Sequence, residues 1–163
     1  WLKEEFDSLG MDFSTRASRT EEYIMVMRAL WSDGISEFSG KTVELAPCHF
    51  NPKPVQKPHP PIIFGGESDP ALRRVARMGD GWYGYDLTPE ALVERLPGLD
   101  AALAASGRSR RDIQLIVGPN RHPVNAQTIA AYAAAGTDQL VVPVFAGSME
   151  KLASRLDILM SSR

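Results

Sequence analysis

Pro60-Pro61-Ile62-Ile63-Phe64-Gly65-Gly66-Glu67-Ser68-Asp69-Pro70-Ala71-Leu72, followed at Gly79-Asp80-Gly81-Trp82 by a second short signal, reads as strand, glycine turn, capped helix and strand. An apolar, β-branched run ends in two glycines. Ser68 or Asp69 then stands where a helix cap is wanted, and Pro70 falls at the first helical position, where a missing N–H does no harm. A βα turn of this kind presents backbone N–H groups at the positive end of a helix, with no Cβ to hold a phosphate away. It is a candidate phosphate seat, although spacing alone does not separate it from other glycine-containing βα turns.

The same alternation continues to the end of the chain. The strand Ile62 to Phe64 leads to a helix with Leu72, Val75, Ala76 and Met78 on one side and Gly79 as its C-cap. Strand Gly81 to Tyr85 leads to Thr88-Pro89-Glu90, where threonine caps and proline opens a helix with Leu92, Leu96, Leu99 and Leu103 inward. Pro97 and Gly98 are expected to kink or split it. Strand Ile113 to Val117 precedes an alanine-rich helix over about 126–135, ended by Gly136. Strand Leu140 to Val144 leads to Ser148 as cap and a last helix carrying Leu152, Leu156 and Leu159. The order βαβαβαβα predicts an α/β fold with a parallel sheet and right-handed crossovers. Four such units make half of a (β/α)8 TIM barrel, whose full form needs about 250 residues; a four-stranded doubly wound sheet is the alternative. Periodicity alone leaves both open.

Upstream, Ser18-Arg19-Thr20-Glu21 has capping-box spacing, and Ile24, Met27, Leu30 and Trp31 recur at helical intervals. They predict a helix over about 19–31, stopped by Asp33-Gly34. Phe38-Ser39-Gly40-Lys41, with Val43 and Leu45 alternating after it, predicts a short hairpin. Pro47 to Pro61 holds half of the twelve prolines of the chain and reads as an extended, polyproline-like connector. The expected division is one domain over 1–163: a helix, hairpin and proline-rich insertion over 1–61, then four βα units over 62–163. Trp1 opens the chain without an initiator methionine, so a fragment, a processed product or a partial record is expected.

The 163 residues suffice to bury a core, and a composition of 44% hydrophobic and 23% charged residues is that of a globular protein. A net charge of -2 offers no general attraction for nucleic acid, so a small molecule or a protein is the expected partner. The longest uncharged apolar run, within Leu140 to Met149, is far short of the roughly 20 residues of a membrane span. Nothing at the start resembles a signal peptide. The single cysteine, Cys48, allows no internal disulfide, suits a reducing cytoplasm and has no metal-site spacing around it, so no metal is expected.

Four segments, Thr20-Glu21-Glu22-Tyr23-Ile24, Asn51-Pro52-Lys53-Pro54-Val55-Gln56, Pro60 to Gly66 and Gly79-Asp80-Gly81-Trp82, resemble in order and spacing the luciferase-like monooxygenases, most closely the oxidoreductases that use coenzyme F420 or FMN. The resemblance covers nearly the whole chain. It implies a (β/α)8 barrel of which this chain holds the C-terminal half, strands 5 to 8, with Trp1 resembling the last residue of the Gly-x-Gly-Trp that ends the fourth strand. It implies a reduced flavin or deazaflavin, F420 with FMN as the alternative, that passes a hydride to a small organic substrate or reacts with oxygen. Gly65, Gly66, Glu67 and Ser68 would take the cofactor phosphate, and Gly81 and Trp82 would line the cofactor or substrate wall, Trp82 reading equally well as core. The groups that act on the ring are expected in the first half of the barrel. Asp69 is expected to turn its carboxylate sideways onto backbone N–H groups.

Gly118-Pro119-Asn120-Arg121-His122 departs from the family pattern, and no role is carried over. Arg121 suits an anionic substrate or the acidic tail of the cofactor and also reads as a solvated loop residue. His49, His59 and His122 have no partner acid at a recognisable spacing and read as structural or solvated. A half-barrel exposes sheet edges and an apolar face, so a homo-oligomer or pairing with the missing half is expected. The competing function is a non-catalytic half-barrel that keeps the phosphate seat or serves in self-assembly.

Overall fold

The computed structural model describes residues 2–161, so the expectation for Trp1 lies outside the described residues. The chain divides into two compact units, one ending at Pro60 and one beginning at Pro61.

The first unit contains helices α1 (Lys3–Ser8) and α2 (Arg16–Trp31) and an antiparallel hairpin of β1 (Ser36–Ser39) and β2 (Glu44–Cys48). The helix begins three residues ahead of the expected start. Asp12 caps a 3-10 turn, Phe13–Thr15, that runs directly into α2, its carboxylate accepting from the Ser14 N–H and hydroxyl at 2.8 Å each. Ser18 is therefore inside the helix, bonded to the Thr15 carbonyl, and its capping-box spacing goes unused. Between Pro47 and Pro61 the backbone makes a series of bends instead of one extended run, and Lys53 reaches back to the Leu30 carbonyl at the end of α2.

Glu22 holds the hairpin. Only 7% exposed, it projects from α2 and accepts from the N–H groups of Lys41, Thr42 and Val43 and from the Thr42 hydroxyl, at 2.7–2.9 Å. A Cβ on Gly40 would stand 2.5 Å from its Oε2, so the carboxylate and the glycine fit each other. The Thr42 hydroxyl first, then the Thr42 N–H, hold its carboxyl below the ordinary glutamate range. A depressed folded pKa means that the contribution is full above the unfolded value of about 4.3 and is lost as pH falls through the folded one. Amide exchange at Lys41 to Val43 is expected to accelerate in acid below that range, and in Glu22→Gln already at neutral pH. Protection in the variant equal to wild type would refute the clamp.

The second unit runs β3 (Ile63–Gly65), α3 (Asp69–Met78), β4 (Gly81–Tyr85), α4 (Pro89–Ala105), β5 (Gln114–Gly118), α5 (Ala126–Ala134), β6 (Gln139–Leu140) and α6 (Met149–Ser161). All strand pairs are parallel and the order is β3-β4-β5-β6, without the reversal of a doubly wound sheet. Alternation puts Ile62, Phe64, Trp82, Leu115 and Val117 on the buried face, in one core with Leu72 and Val75 of α3 and the four leucines of α4. Consecutive helices pack side by side, α3 on α4 and α4 on α5.

The strand register repeats one device. Asp80 donates its N–H to the Ile62 carbonyl and accepts the Ile62 N–H on its carboxylate, both at 2.8 Å; Asp138 does the same with Leu115, at 2.9 and 2.7 Å. In each case an aspartate following the helix is locked to the start of the preceding strand, at Ile62 just ahead of β3 and at Leu115, the second residue of β5. Gly79 is not a left-handed cap, with φ -92°. It is glycine because a Cβ would come within 3.0 Å of the Phe64 ring and the Val75 carbonyl. The end of α3 is closed by Arg108, whose guanidinium donates to the carbonyls of Ala76 and Gly79.

Three expectations need correction. Helix α4 is not split: it runs as one helix from Pro89 to Ala105 through Pro97 and Gly98. Burial of Leu92, Leu96, Leu99 and Leu103 is worth about 1.5–3 kcal/mol each and outweighs the roughly 3 kcal/mol of an interior proline. The last strand stops at Leu140, because β5 runs out into Pro119, which has no N–H to pair. With so short a strand beneath it α6 buries none of its side chains: Leu156 is 45% exposed, and an apolar cavity of about 500 Å³ remains between α5, β6 and α6.

Candidate functional site

The C-terminal ends of β3, β4 and β5 are the edge at which parallel α/β folds bind ligands. After β3 the chain turns at Gly66, whose φ of +97° is left-handed and whose missing Cβ would lie 3.0 Å from the Cβ of Ala71. Gly65 is exposed, and a Cβ there would meet only the Tyr83 carbonyl, at 3.9 Å. That side of the turn is open.

Three side chains hold the turn in place. The Trp82 indole donates to the Gly66 carbonyl at 2.9 Å, the Glu67 carboxylate accepts the Tyr85 N–H at 2.9 Å, and the Arg95 guanidinium donates to the Glu67 carbonyl. Ser68 is the extended N-cap of α3, but its hydroxyl makes no cap bond. Asp69 and Pro70 open the helix, so the first donors of α3 have no carbonyl within it. Beside them lies an open depression lined by Glu67, Ser68, Leu87, Ala91, Glu94 and Arg95. Nε of Arg95 is buried there without a hydrogen-bond partner among the described residues.

This geometry redistributes the expected roles. Gly65, Gly66 and Ser68 come together at the turn. Glu67 is at the turn, with its carboxylate committed to β4. Trp82 is wholly buried on the helix-facing side of the sheet and reaches the turn through the Gly66 carbonyl. Gly81 opens β4 opposite Ile63 and Gln114, two residues before the level of Gly65. A Cβ on it would stand 2.6 Å from Ile63 Cδ1 and 2.9 Å from the Gln114 carbonyl, and sheet packing accounts for it. Asp69 caps nothing; its carboxylate faces Arg95 at 3.8 Å.

A second group was not foreseen. Asp86, just past β4, and Asn120, just past β5, both have left-handed φ, 56° and 48°. The Asp86 carboxylate accepts from the Arg121 N–H at 3.1 Å, from its Nε at 2.8 Å and from its Nη2. His122 Nε2 lies 3.1 Å from the Asp86 carbonyl and 3.7 Å from Oδ1. The Asp86 side chain is 10% exposed, and the Arg121 hydrogen bonds hold its carboxyl below the usual aspartate range while the carboxylate raises Arg121. His122 thus has the partner acid that spacing along the chain did not reveal. The readable signal was positional: an acid directly after β4 and bases directly after β5 share one edge once those strands are neighbours.

The luciferase-like monooxygenase family profile matches residues 1–135. The FMNH(2)-dependent dimethylsulfone monooxygenase of Pseudomonas putida is 29% identical over 112 residues, which are 67% of this chain and 31% of that protein. Among solved structures, monooxygenase RslO1 from Streptomyces bottropensis superposes with a TM-score of 0.75 at 16% identity, covering 99% of this chain and 65% of that one. The coenzyme F420 dependent tetrahydromethanopterin reductase from Methanopyrus kandleri gives 0.74 at 14% identity, covering 100% and 70%. The chain spans about a third or less of the length of the curated relatives it matches. Its α/β fold with a parallel sheet is thus similar to that of the luciferase-like barrel enzymes, and over most of its length the chain belongs to the luciferase-like monooxygenase family.

Proposed function

We propose that this chain is the phosphate-binding part of a flavin- or F420-dependent oxidoreductase or monooxygenase acting on a small organic substrate. The orphaned Nε of Arg95 beside the Gly65–Ser68 turn carries the reading, because a buried guanidinium N–H without an acceptor suits an anion. The residues present fit a cofactor phosphate. Backbone N–H groups of the turn and of the first turn of α3 supply donors, the Ser68 hydroxyl is uncommitted, Arg95 supplies charge, and Gly65 leaves room. Of the nearby carboxylates, Glu67 accepts the Tyr85 N–H, Asp69 faces Arg95, and Glu94 shares the lining with that guanidinium. When bound, a reduced flavin or deazaflavin supplies a hydride to a substrate or reacts with oxygen. The contribution of this chain is to hold the phosphate end and orient the ring.

The unreversed strand order and the single row of helices α3 to α5 support reading 62–163 as strands 5 to 8 of a (β/α)8 barrel and 1–61 as the segment inserted before them. Exposed Val141, Phe145 and Ile158 at the last unit support a covering partner, a second copy or the other half of a barrel. F420 is the proposed cofactor, with FMN the alternative, since relatives named for each share the fold.

Titration of the chain with F420, FMN and inorganic phosphate tests the reading: one cofactor saturates, and phosphate competes with it. Arg95→Ala is expected to weaken that binding by about 10- to 100-fold, the size of a lost charge-assisted hydrogen bond of about 1.5–3 kcal/mol. Saturable binding that neither phosphate nor Arg95→Ala disturbs would reject the seat.

A further inference from the structure

The group at Asp86 has a feature that loop stapling does not require. Arg121, through its backbone N–H and its guanidinium, and the Asp86 N–H donated to the Gly118 carbonyl already join the two loops. His122 adds an imidazole: its backbone N–H donates to the Pro119 carbonyl at 3.0 Å, and its ring Nε2 faces the Asp86 carbonyl. A carbonyl only accepts, so in the neutral ring Nε2 carries the proton and Nδ1 carries the lone pair. Nδ1 has no hydrogen-bond partner among the described residues, and the side chain is 35% exposed. Asp86 is 10% exposed, ionised, and held by Arg121 in a backbone conformation that is uncommon for aspartate. The edge is continuous with the glycine turn, because Tyr85, the residue before Asp86, donates its N–H to Glu67.

We propose that His122 is a proton acceptor for a hydroxyl-bearing substrate at this edge of the sheet, with Asp86 as its positioning residue. Nδ1 takes the hydroxyl proton: the O–H bond breaks, its electron pair stays on oxygen, the N–H bond forms, and the ring becomes an imidazolium facing the Asp86 carboxylate. The reverse step returns the proton to a substrate oxygen. The charged and titratable groups around the ring are Asp86 and Arg121, with Tyr85, Glu90 and Tyr132 next outward. Arg121 is paired with Asp86 and leaves that carboxylate oriented, so the imidazole is the one uncommitted base of the group. The proposal deepens the oxidoreductase reading, on which it rests for the placement of a substrate at this edge.

Two measurements on the chain itself test it. Long-range proton–nitrogen correlation spectra of the histidine-labelled protein are expected to show neutral His122 with its proton on Nε2; a proton on Nδ1 overturns the assignment whatever any variant does. The probe 4-nitrophenol is expected to bind as its phenolate, read from the visible absorption band of the anion. His122→Gln keeps a donor for the Asp86 carbonyl and is expected to lose that band, and Asp86→Asn, which tolerates the same backbone conformation, to weaken it. Failure of the probe to bind the wild-type chain, or an equal phenolate band in wild type and His122→Gln, overturns the proposal. Cofactor titration of the same samples separates the two readings, since His122→Gln is expected to leave F420 or FMN affinity unchanged.

Discussion

Trp82→Ala is expected to be the most destabilising single substitution in the second unit, lowering its stability by about 3–5 kcal/mol. The side chain is wholly buried, on the strand β4 that packs against α3, in the core that also holds Leu72, Val75 and Leu99, themselves 0–1% exposed. Truncation leaves a cavity that a parallel sheet fixed by β3 and β5 on either side cannot close. Part of the loss is polar: the Gly66 carbonyl, which accepts the indole N–H at 2.9 Å, is left without that donor. Trp82→Phe separates the parts. It keeps most of the buried area and removes the donor, so it is expected to cost about 1–3 kcal/mol and to loosen the glycine turn specifically. Chemical denaturation of the three proteins measures the first effect, and amide exchange at Gly66 to Ser68 the second. If Trp82→Phe left that exchange unchanged, the indole would be core filling and nothing more.

What was legible from the chain is what local chemistry decides. Thr88 and Ser148 each accept from a backbone N–H within the first helical turn, as residues of their type do wherever an apolar periodicity follows. The Gly65-Gly66 turn was legible for the same reason, since its φ demands glycine whatever surrounds it. The failures have non-local causes. At Ser18 the capping-box spacing goes unused, because the 3-10 turn that Asp12 caps runs straight into α2. The last strand was drawn too long because apolar residues continue to Val144, whereas strand length is set by the neighbour, and the neighbour ends at a proline. The pairing of Asp86 with Arg121 and His122 spans 35 and 36 positions, and no period within one element encodes it. No local pattern marks Glu22 as a clamp, because the three N–H groups it serves belong to a turn some twenty residues on.

Gly81→Ala and Gly65→Ala are expected to divide fold from function between two glycines of neighbouring strands. The new methyl of Gly81→Ala meets Ile63 Cδ1 at 2.6 Å and the Gln114 carbonyl at 2.9 Å. The isoleucine can turn away, but the carbonyl belongs to the backbone of β5 and cannot move without parting the ladder from Gly81 to Tyr85. The expected cost is about 1–3 kcal/mol of stability in the second unit, the usual size of an overpacked core position, with cofactor affinity unchanged in the protein that remains folded. At Gly65 the methyl meets only the Tyr83 carbonyl, at an ordinary 3.9 Å, and φ there is not left-handed, so stability should move by less than about 0.5 kcal/mol. The same methyl projects on the open side of the turn, where a phosphate must approach the backbone closely. It is expected to weaken cofactor binding about tenfold, or about 1.4 kcal/mol. Melting curves and cofactor titrations on both variants give four numbers, and the pattern matters more than any one of them. Loss of affinity in folded Gly81→Ala would return that glycine to the ligand wall, and undiminished affinity in Gly65→Ala would move the phosphate away from this turn.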